Sequence, residues 1–188
     1  MRLLLLVTLL LMIPFGAAGA ELPAESLYNI EFDWRNQSGK EFKFSSLEGK
    51  PAILTLAYTQ CKTACPLTMQ RVKKIAESIE AKVPDAQFII VSLDPSRDTP
   101  ESMKQFQRQY ALKGNNWHLL TGPESDLRKL TVLLGYSYQR QPGSEEEEIA
   151  HSNKIVALRR DGTIAHELDG LASKVEPFVE EIEGLNEK

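Results

Sequence analysis

The 188-residue chain is poor in cysteine and has no surplus of positive charge. Two cysteines cannot build the disulfide framework of a small stapled scaffold, so whatever chemistry they perform is local. The chain has 22 Lys and Arg against 26 Asp and Glu, which gives a net charge of −4. Because nucleic-acid-binding proteins present a clustered basic face, this composition argues against nucleic acid as a partner.

Long apolar runs are also scarce, and the longest lies at the start of the chain. In residues 1–20, Arg2 precedes an apolar stretch from Leu3 to Phe15, and the small residues Ala18-Gly19-Ala20 follow. This order is typical of a secretory signal peptide, and the stretch is too short to cross a hydrocarbon layer of ~30 Å. We therefore expect cleavage after Ala20, no stable membrane anchor, and an oxidising extracytoplasmic location such as a bacterial periplasm.

Residues 21–188 are long enough for one domain with a substantial apolar core. Apolar runs predict one weak and three buried strands, at Phe42–Phe44, Pro51–Tyr58, Gln87–Leu93 and Trp117–Leu120. Helical spacing and capping residues predict helices at 66–82, from Thr99-Pro100, at Glu124–Leu134 and at Val175–Leu185. A polar loop at Gln139–Glu148 precedes a predicted hairpin of Asn153–Leu158 and Thr163–Leu168. This alternation predicts an α/β domain with a mixed central sheet flanked by helices.

Both cysteines lie between a predicted buried strand and a predicted helix, in the segment Tyr58-Thr59-Gln60-Cys61-Lys62-Thr63-Ala64-Cys65-Pro66. A helix N-terminus favours thiolate over thiol, and thiolates with an imidazole form a ligand set suited to copper. A plain disulfide is the simplest alternative in an oxidising space. Because a disulfide between Cys61 and Cys65 would close a very short loop, this placement favours chemistry over structural cross-linking.

Three histidines could supply an imidazole. His118 lies in an apolar strand and is expected to be structural, and His166 is expected to face solvent from the hairpin. His151 ends the polar loop just before a strand, where it could reach a neighbouring strand–helix junction. Since a lone histidine has many structural uses, the residues alone leave His151 open as a ligand or as a structural residue.

Four segments together resemble the Sco/SenC family of thioredoxin-like copper-binding proteins. They are Tyr58–Pro66, Val91–Pro100, Trp117–Gly122 and His151-Ser152. The resemblance implies a thioredoxin-like fold and one Cu(I) or Cu(II) ion bound by Cys61, Cys65 and His151. It further implies help in assembling the binuclear copper site of cytochrome c oxidase. The implied partners are the copper-bearing oxidase subunit or another copper chaperone, and a protein that supplies thiol reductant.

Two positions differ from the family pattern, which commonly has Pro after the first cysteine and Asp before the histidine. This chain has Lys62 and Ala150 there, and losing an outer carboxylate weakens control of a ligating imidazole. The differences favour some thiol–disulfide oxidoreductase activity, with Cys61 as attacker and Cys65 as resolving cysteine.

Other roles stay open as expectations at this stage. A peroxidase would need a basic partner for its thiolate, such as Lys62 or Arg97. Asp94 and Asp98 follow the second buried strand; we expect Asp98 to serve the turn and helix start, while Asp94 is a candidate for tuning the site. The resemblance favours a metallochaperone over an enzyme.

Overall fold

The computed structural model describes residues 21–61, 64–140 and 148–185. The predicted signal peptide, Lys62 and most of the polar loop lie outside these ranges, so their roles stay predictions. Within the described ranges, no helix is both long enough and apolar enough to span a bilayer.

Nine strands and four α-helices make up the regular structure of the described residues. The strands are β1 (Trp34–Asn36), β2 (Glu41–Phe42), β3 (Ala52–Ala57), β4 (Gln87–Ser92), β5 (Trp117–Thr121), β6 (Tyr138–Arg140), β7 (Ile149–His151), β8 (Lys154–Leu158) and β9 (Ile164–Asp169). The helices are α1 (Cys65–Ile79), α2 (Pro100–Gln109), α3 (Glu124–Leu133) and α4 (Val175–Gly184). Short 3₁₀ turns lie at Leu27–Asn29 and Phe44–Leu47.

Seven of the strands form one mixed sheet in the order β2-β1-β5-β4-β3-β8-β9. The neighbours of β4 run parallel to it, whereas β8 and β9 are antiparallel additions at one side and β1 and β2 at the other. Helix α1 connects β3 to β4, and α2 connects β4 to β5, as parallel strands require. The prediction of a mixed central sheet flanked by helices is confirmed.

The core follows from continuous apolar runs in the central strands. All six residues of β3 and five of six in β4 are buried, because both faces of these strands are covered. Helix α1 buries Met69, Val72, Ile75 and Ile79 at intervals of three or four residues, which is the spacing of one helix face. This rigid centre holds the β3–α1 junction and both cysteines.

The predicted helix start at Thr99-Pro100 and the predicted hairpin are confirmed, and local chemistry explains these turns and caps. Thr99 accepts a hydrogen bond from the Ser102 amide and Pro100 opens α2. Gly135 ends α3 with a φ of +56°, and Gly162 turns the β8–β9 hairpin with a φ of +79°. Only glycine adopts such left-handed angles without strain.

Two predicted element bounds were wrong, and one strand was missed. The strand proposed at Phe42–Phe44 ends at Phe42, and Phe44 begins a 3₁₀ turn. Strand β1 was not predicted, because three residues leave almost no periodic signal. The loop proposed at Gln139–Glu148 begins too early, since Gln139 and Arg140 belong to β6.

Strands β6 and β7 form a separate two-stranded ribbon. Their register pairs Tyr138 with His151 and Arg140 with Ile149. His151 therefore lies in a strand instead of ending a loop. The ribbon places His151 at the carboxyl end of the central strand β3, close to the start of α1.

Candidate metal centre

The cysteine pair lies where strand β3 ends and α1 begins. The Cys61 amide donates to the Tyr58 carbonyl at 3.2 Å, which turns the chain back after the strand. Cys65 is the first residue of α1, and its amide donates to Cys61 Sγ at 3.3 Å. Both cysteines are free thiols and buried, with Cys61 8% and Cys65 1% exposed. The sulfur atoms therefore lie together, with that of Cys61 nearer the surface.

His151 completes a group of three side chains at this point. The sulfurs of Cys61 and Cys65 and a ring nitrogen of His151 all lie within 4.8 Å of one another. Bonds to zinc are about 2.3 Å from sulfur and about 2.0–2.1 Å from nitrogen, so two ligands of one such ion lie up to about 4.6 Å apart. The three ligand atoms, none more than 4.8 Å from another, are therefore close enough for their side chains to share one ion.

The tautomer of His151 follows from its hydrogen bond. Its Nδ1 lies 2.9 Å from the Ser152 carbonyl oxygen, and a carbonyl only accepts, so Nδ1 carries the hydrogen. Nε2 then keeps its lone pair and is free to ligate a metal. The ring packs edge-on against Tyr58, with centroids 6.0 Å apart, which limits the rotation of the imidazole.

The electrostatics of Cys65 differ from the expectation based on its helix position. A hydrogen bond with Cys61 and burial together raise the pKa of the Cys65 thiol above its ordinary value. The helix N-terminus favours thiolate, but two thiols packed together in a buried site oppose ionisation more strongly. In the metal-free state, the pair therefore keeps a proton that a metal ion would displace.

Tyr58 is a further member of the site that the sequence analysis did not single out. Its hydroxyl accepts a hydrogen bond from the Ile149 amide at 3.4 Å, and burial raises its pKa to about 12. Tyr58 thus joins the cysteine loop to the ribbon that carries His151. Its position directly after β3 was visible in the sequence, but its partner lies in a distant element.

Asp98 forms hydrogen bonds to the start of the cysteine loop. This corrects the expectation that its side chain serves the helix start. Its carboxylate accepts hydrogen bonds from the Thr59 amide at 3.2 Å, from the Thr59 hydroxyl and from the Ser92 hydroxyl. Burial raises its pKa despite these bonds. Because Thr59 lies two residues before Cys61, Asp98 fixes where the loop begins.

The other two histidines lie away from the cysteines and are held by other groups. His118 is half-buried, bonds Gln87 through Nε2 at 2.9 Å and packs on Phe42, as expected for a structural histidine. His166 is partly exposed on β9 and pairs with Glu181 on α4 at 2.9 Å.

Comparison with known proteins places this arrangement in a family. The sequence model described as SCO1/SenC matches residues 20–187. The chain belongs to the SCO1/SenC family. The resemblance drawn from four short segments is thus confirmed, and it extends over all of the residues that the structure describes.

Individual SCO1/SenC proteins are similar over most of their length. The SCO1 protein homolog of Bacillus subtilis (strain 168) is 26% identical over 158 residues, which cover 83% of this chain and 81% of that protein. A SCO1/SenC family lipoprotein from Bacillus anthracis superposes with a TM-score of 0.75 at 25% identity, over 84% of this chain and 95% of that one. These likenesses confirm the thioredoxin-like fold of the family.

A copper-bound relative has the same fold. The structure of Bradyrhizobium japonicum ScoI with copper bound superposes with a TM-score of 0.68 at 23% identity, over 83% of this chain and 96% of that one. At this level of identity the likeness concerns the fold alone.

Proposed function

We propose that this SCO1/SenC protein binds one copper ion through Cys61, Cys65 and His151 and hands it to a partner. The observation that carries the proposal is the convergence of two sulfurs and one imidazole nitrogen within 4.8 Å. These atoms come from two elements distant in sequence, α1 with its preceding loop and the β6–β7 ribbon. A merely structural cysteine pair would not need the histidine.

The donor set suits copper better than zinc. Thiolates are soft ligands that favour Cu(I), and imidazole binds copper well. A structural zinc site normally has four protein ligands, whereas the group among the described residues has three. A site of three ligands also suits a cargo ion, because a partner's ligand can enter the free position.

We further propose that the recipient is the binuclear copper site of cytochrome c oxidase and that the exchange is extracytoplasmic. Family membership and the copper-bound Bradyrhizobium japonicum ScoI support copper as the cargo. The signal-like residues 1–20 support export. Cys61 and His151 are the more exposed ligands, so they are the ones a partner would contact first.

An anaerobic copper titration of the reduced mature protein tests the proposal. We expect one copper per chain, and with Cu(II) an absorption band from sulfur-to-copper charge transfer. His151→Ala should lower copper affinity by more than the roughly 10–100-fold typical of changes outside the ligand shell. His166→Ala is the matched control and should bind copper like the parent protein. Equal affinity in His151→Ala and the parent would remove the histidine from the site.

Thiol–disulfide exchange is a second candidate, favoured by the direct contact between the cysteines. The Cys61 thiolate would attack a partner disulfide and release one partner thiolate, leaving a mixed disulfide. Cys65 would then attack Cys61, forming the intramolecular disulfide and releasing the second partner thiol. The two electrons that reduce the partner come from the cysteine pair.

Trapping distinguishes this exchange from copper transfer. Cys65→Ser should accumulate a mixed disulfide between Cys61 and a partner, whereas Cys61→Ser should not, because Cys61 is the less buried sulfur. The measurement is non-reducing electrophoresis after purification from cells. Absence of a trapped partner in Cys65→Ser, with copper binding intact in the parent, would leave metal binding as the function.

A further inference from the structure

The two halves of the candidate copper site belong to different parts of the fold. The cysteines follow the central strand β3 and lead into α1, whereas His151 lies on the β6–β7 ribbon, which forms no ladder with the seven-stranded sheet among the described residues. What holds the ribbon in place therefore determines whether the third ligand is present.

One face of the ribbon points toward the body of the protein. Directly opposed residues of an antiparallel pair share a face, and residues two apart along a strand do too. Tyr138 opposite His151 and Arg140 opposite Ile149 thus lie on one face. All four are buried or half-buried, while the intervening residues 139 and 150 are exposed. Arg140 and His151 therefore approach the body together.

Arg140 makes the charged contacts of this face. Its guanidinium lies 2.9 Å from an Asp94 carboxylate oxygen and 3.9 Å from Glu124 at the start of α3. Tyr138 adds a hydrogen bond from its hydroxyl to Glu124 at 2.7 Å. The side chain of Arg140 is 35% exposed and that of Asp94 is fully buried, so the contact reaches from the ribbon into the protein.

The carboxylate that Arg140 contacts belongs to the loop that also supports the cysteines. Asp94 and Asp98 lie in the segment between β4 and α2, and the Asp98 amide donates to the Asp94 carbonyl at 2.8 Å. Asp98 holds the cysteine loop through Thr59, and Asp94 holds the ribbon through Arg140. One short loop thus fixes both halves of the site relative to each other.

We propose that Arg140 is a positioning residue of the copper site: its ion pair with Asp94 holds the β6–β7 ribbon so that His151 lies over the cysteine pair. The inference rests on the proposed copper-binding function. It predicts that losing Arg140 leaves a site with two cysteines and an unfixed third ligand.

Arg97 offers a matched control, because it contacts the same carboxylate from within the loop. It pairs with Asp94 through Nε. Either Arg140→Ala or Arg97→Ala leaves Asp94 with one guanidinium and the Ser96 hydroxyl. In neither variant does the buried Asp94 carboxylate lose all of its partners. Arg140→Ala removes a side chain of the ribbon itself, whereas Arg97→Ala changes the loop between β4 and α2. Arg140→Lys keeps the charge but cannot reach Asp94 and Glu124 with a forked group.

The first measurement needs no copper. In the reduced metal-free protein, NMR should show a contact between the Tyr58 and His151 rings, as their edge-on packing requires. That contact should be lost in Arg140→Ala, and amide exchange in β6 and β7 should accelerate there while β3 and β4 stay protected. Arg97→Ala should match the parent protein in both respects.

The second measurement is copper affinity, with the charge-transfer spectrum of the Cu(II) form. We expect Arg140→Ala to bind at least about ten-fold more weakly, in the range seen for residues that orient metal ligands, and to show a shifted band. Arg140→Lys should recover part of the affinity, and Arg97→Ala should equal the parent.

The outcomes separate the inference from the function on which it rests. If the parent binds copper through His151 and Arg140→Ala keeps the ring contact, affinity and spectrum of the parent, the positioning role is overturned. The role is overturned as well if Arg97→Ala and Arg140→Ala lose affinity equally. If the parent itself binds no copper while the NMR contact depends on Arg140, the proposed function fails and the structural part of the inference stands.

Discussion

At the scale of single residues, three histidines show how surroundings decide what one side chain does. His151 donates Nδ1–H to a carbonyl and has a ring nitrogen within 4.8 Å of two sulfurs. His118 is half-buried between Phe42 and Gln87, and His166 pairs with a glutamate at the surface. The three side chains have the same chemistry, and sequence position with the family resemblance already favoured His151 as the candidate ligand; burial and partners give the physical reason for the difference.

His118 should make the stability of the protein depend on pH. Burial lowers its pKa from the ordinary value of 6.5 to about 4. Between these values the unfolded chain binds a proton that the folded protein does not. The contribution of neutral His118 to the free energy of unfolding is therefore complete above pH 6.5 and is lost as pH falls toward 4. The loss approaches about 3 kcal/mol for a shift of this size. Urea unfolding at pH 7 and pH 4.5 would measure it.

His118→Gln should remove this part of the pH dependence, because glutamine does not titrate. His166→Gln serves as control, since it leaves His118 in place and should keep the dependence of the parent. If both variants lose stability equally between pH 7 and pH 4.5, the dependence arises from another group.

At the scale of elements, short loops and helix caps position the residues around the site. The segment between β4 and α2 supplies Asp94 and Asp98 and then ends in a capping box. Thr99 accepts from the Ser102 amide at 3.2 Å, and the Ser102 hydroxyl accepts from the Thr99 amide at 2.9 Å. This reciprocal pair satisfies two amides that the helix start leaves unpaired. It also fixes the residue at which the loop ends and α2 begins.

Thr99→Ala should destabilise the fold by about 1 kcal/mol, the usual effect of removing an N-cap side chain. Chemical denaturation of the reduced protein measures the change. Gln105→Ala, on the exposed side of the same helix, is the control and should change stability little. A Thr99→Ala protein as stable as that control would show that the capping box contributes nothing here.

At the scale of the whole molecule, binding and folding are coupled through the site. The three candidate ligands meet only when the sheet, α1 and the ribbon are assembled, so a metal held by all three favours the folded state. A ligand at about 100 times its dissociation constant stabilises the state that binds it by about 2.7 kcal/mol.

Copper should therefore raise the melting temperature of the reduced protein. Calorimetry with free Cu(I) held constant by a competing chelator measures the shift. Protein oxidised to the Cys61–Cys65 disulfide should show almost none, because disulfide sulfurs cannot become the thiolates that bind the metal. A shift in His151→Ala as large as in the parent would mean that the third ligand takes no part in the coupling.

Much of this could be predicted from the sequence because the signals are local. An apolar run such as β3, a proline after a capping threonine, and a glycine that turns a hairpin each act within a few residues. The strands β1, β6 and β7 were missed or misplaced because three residues carry too little periodicity. The contacts of Tyr58, Asp98 and Arg140 were missed because their partners lie in other elements.

The alternation of the central strands with helices, the placement of two cysteines at a helix start, and the family followed from the sequence by itself. Each of these depends on neighbours along the chain. The resemblance implied that His151 joins the cysteines, but the tertiary structure decided how close its ring nitrogen lies to both sulfurs and that a hydrogen bond with Cys61 and burial raise the pKa of the Cys65 thiol. The cause is the folding of two distant segments onto one loop, where Asp98 holds the cysteines and Asp94 holds the ribbon.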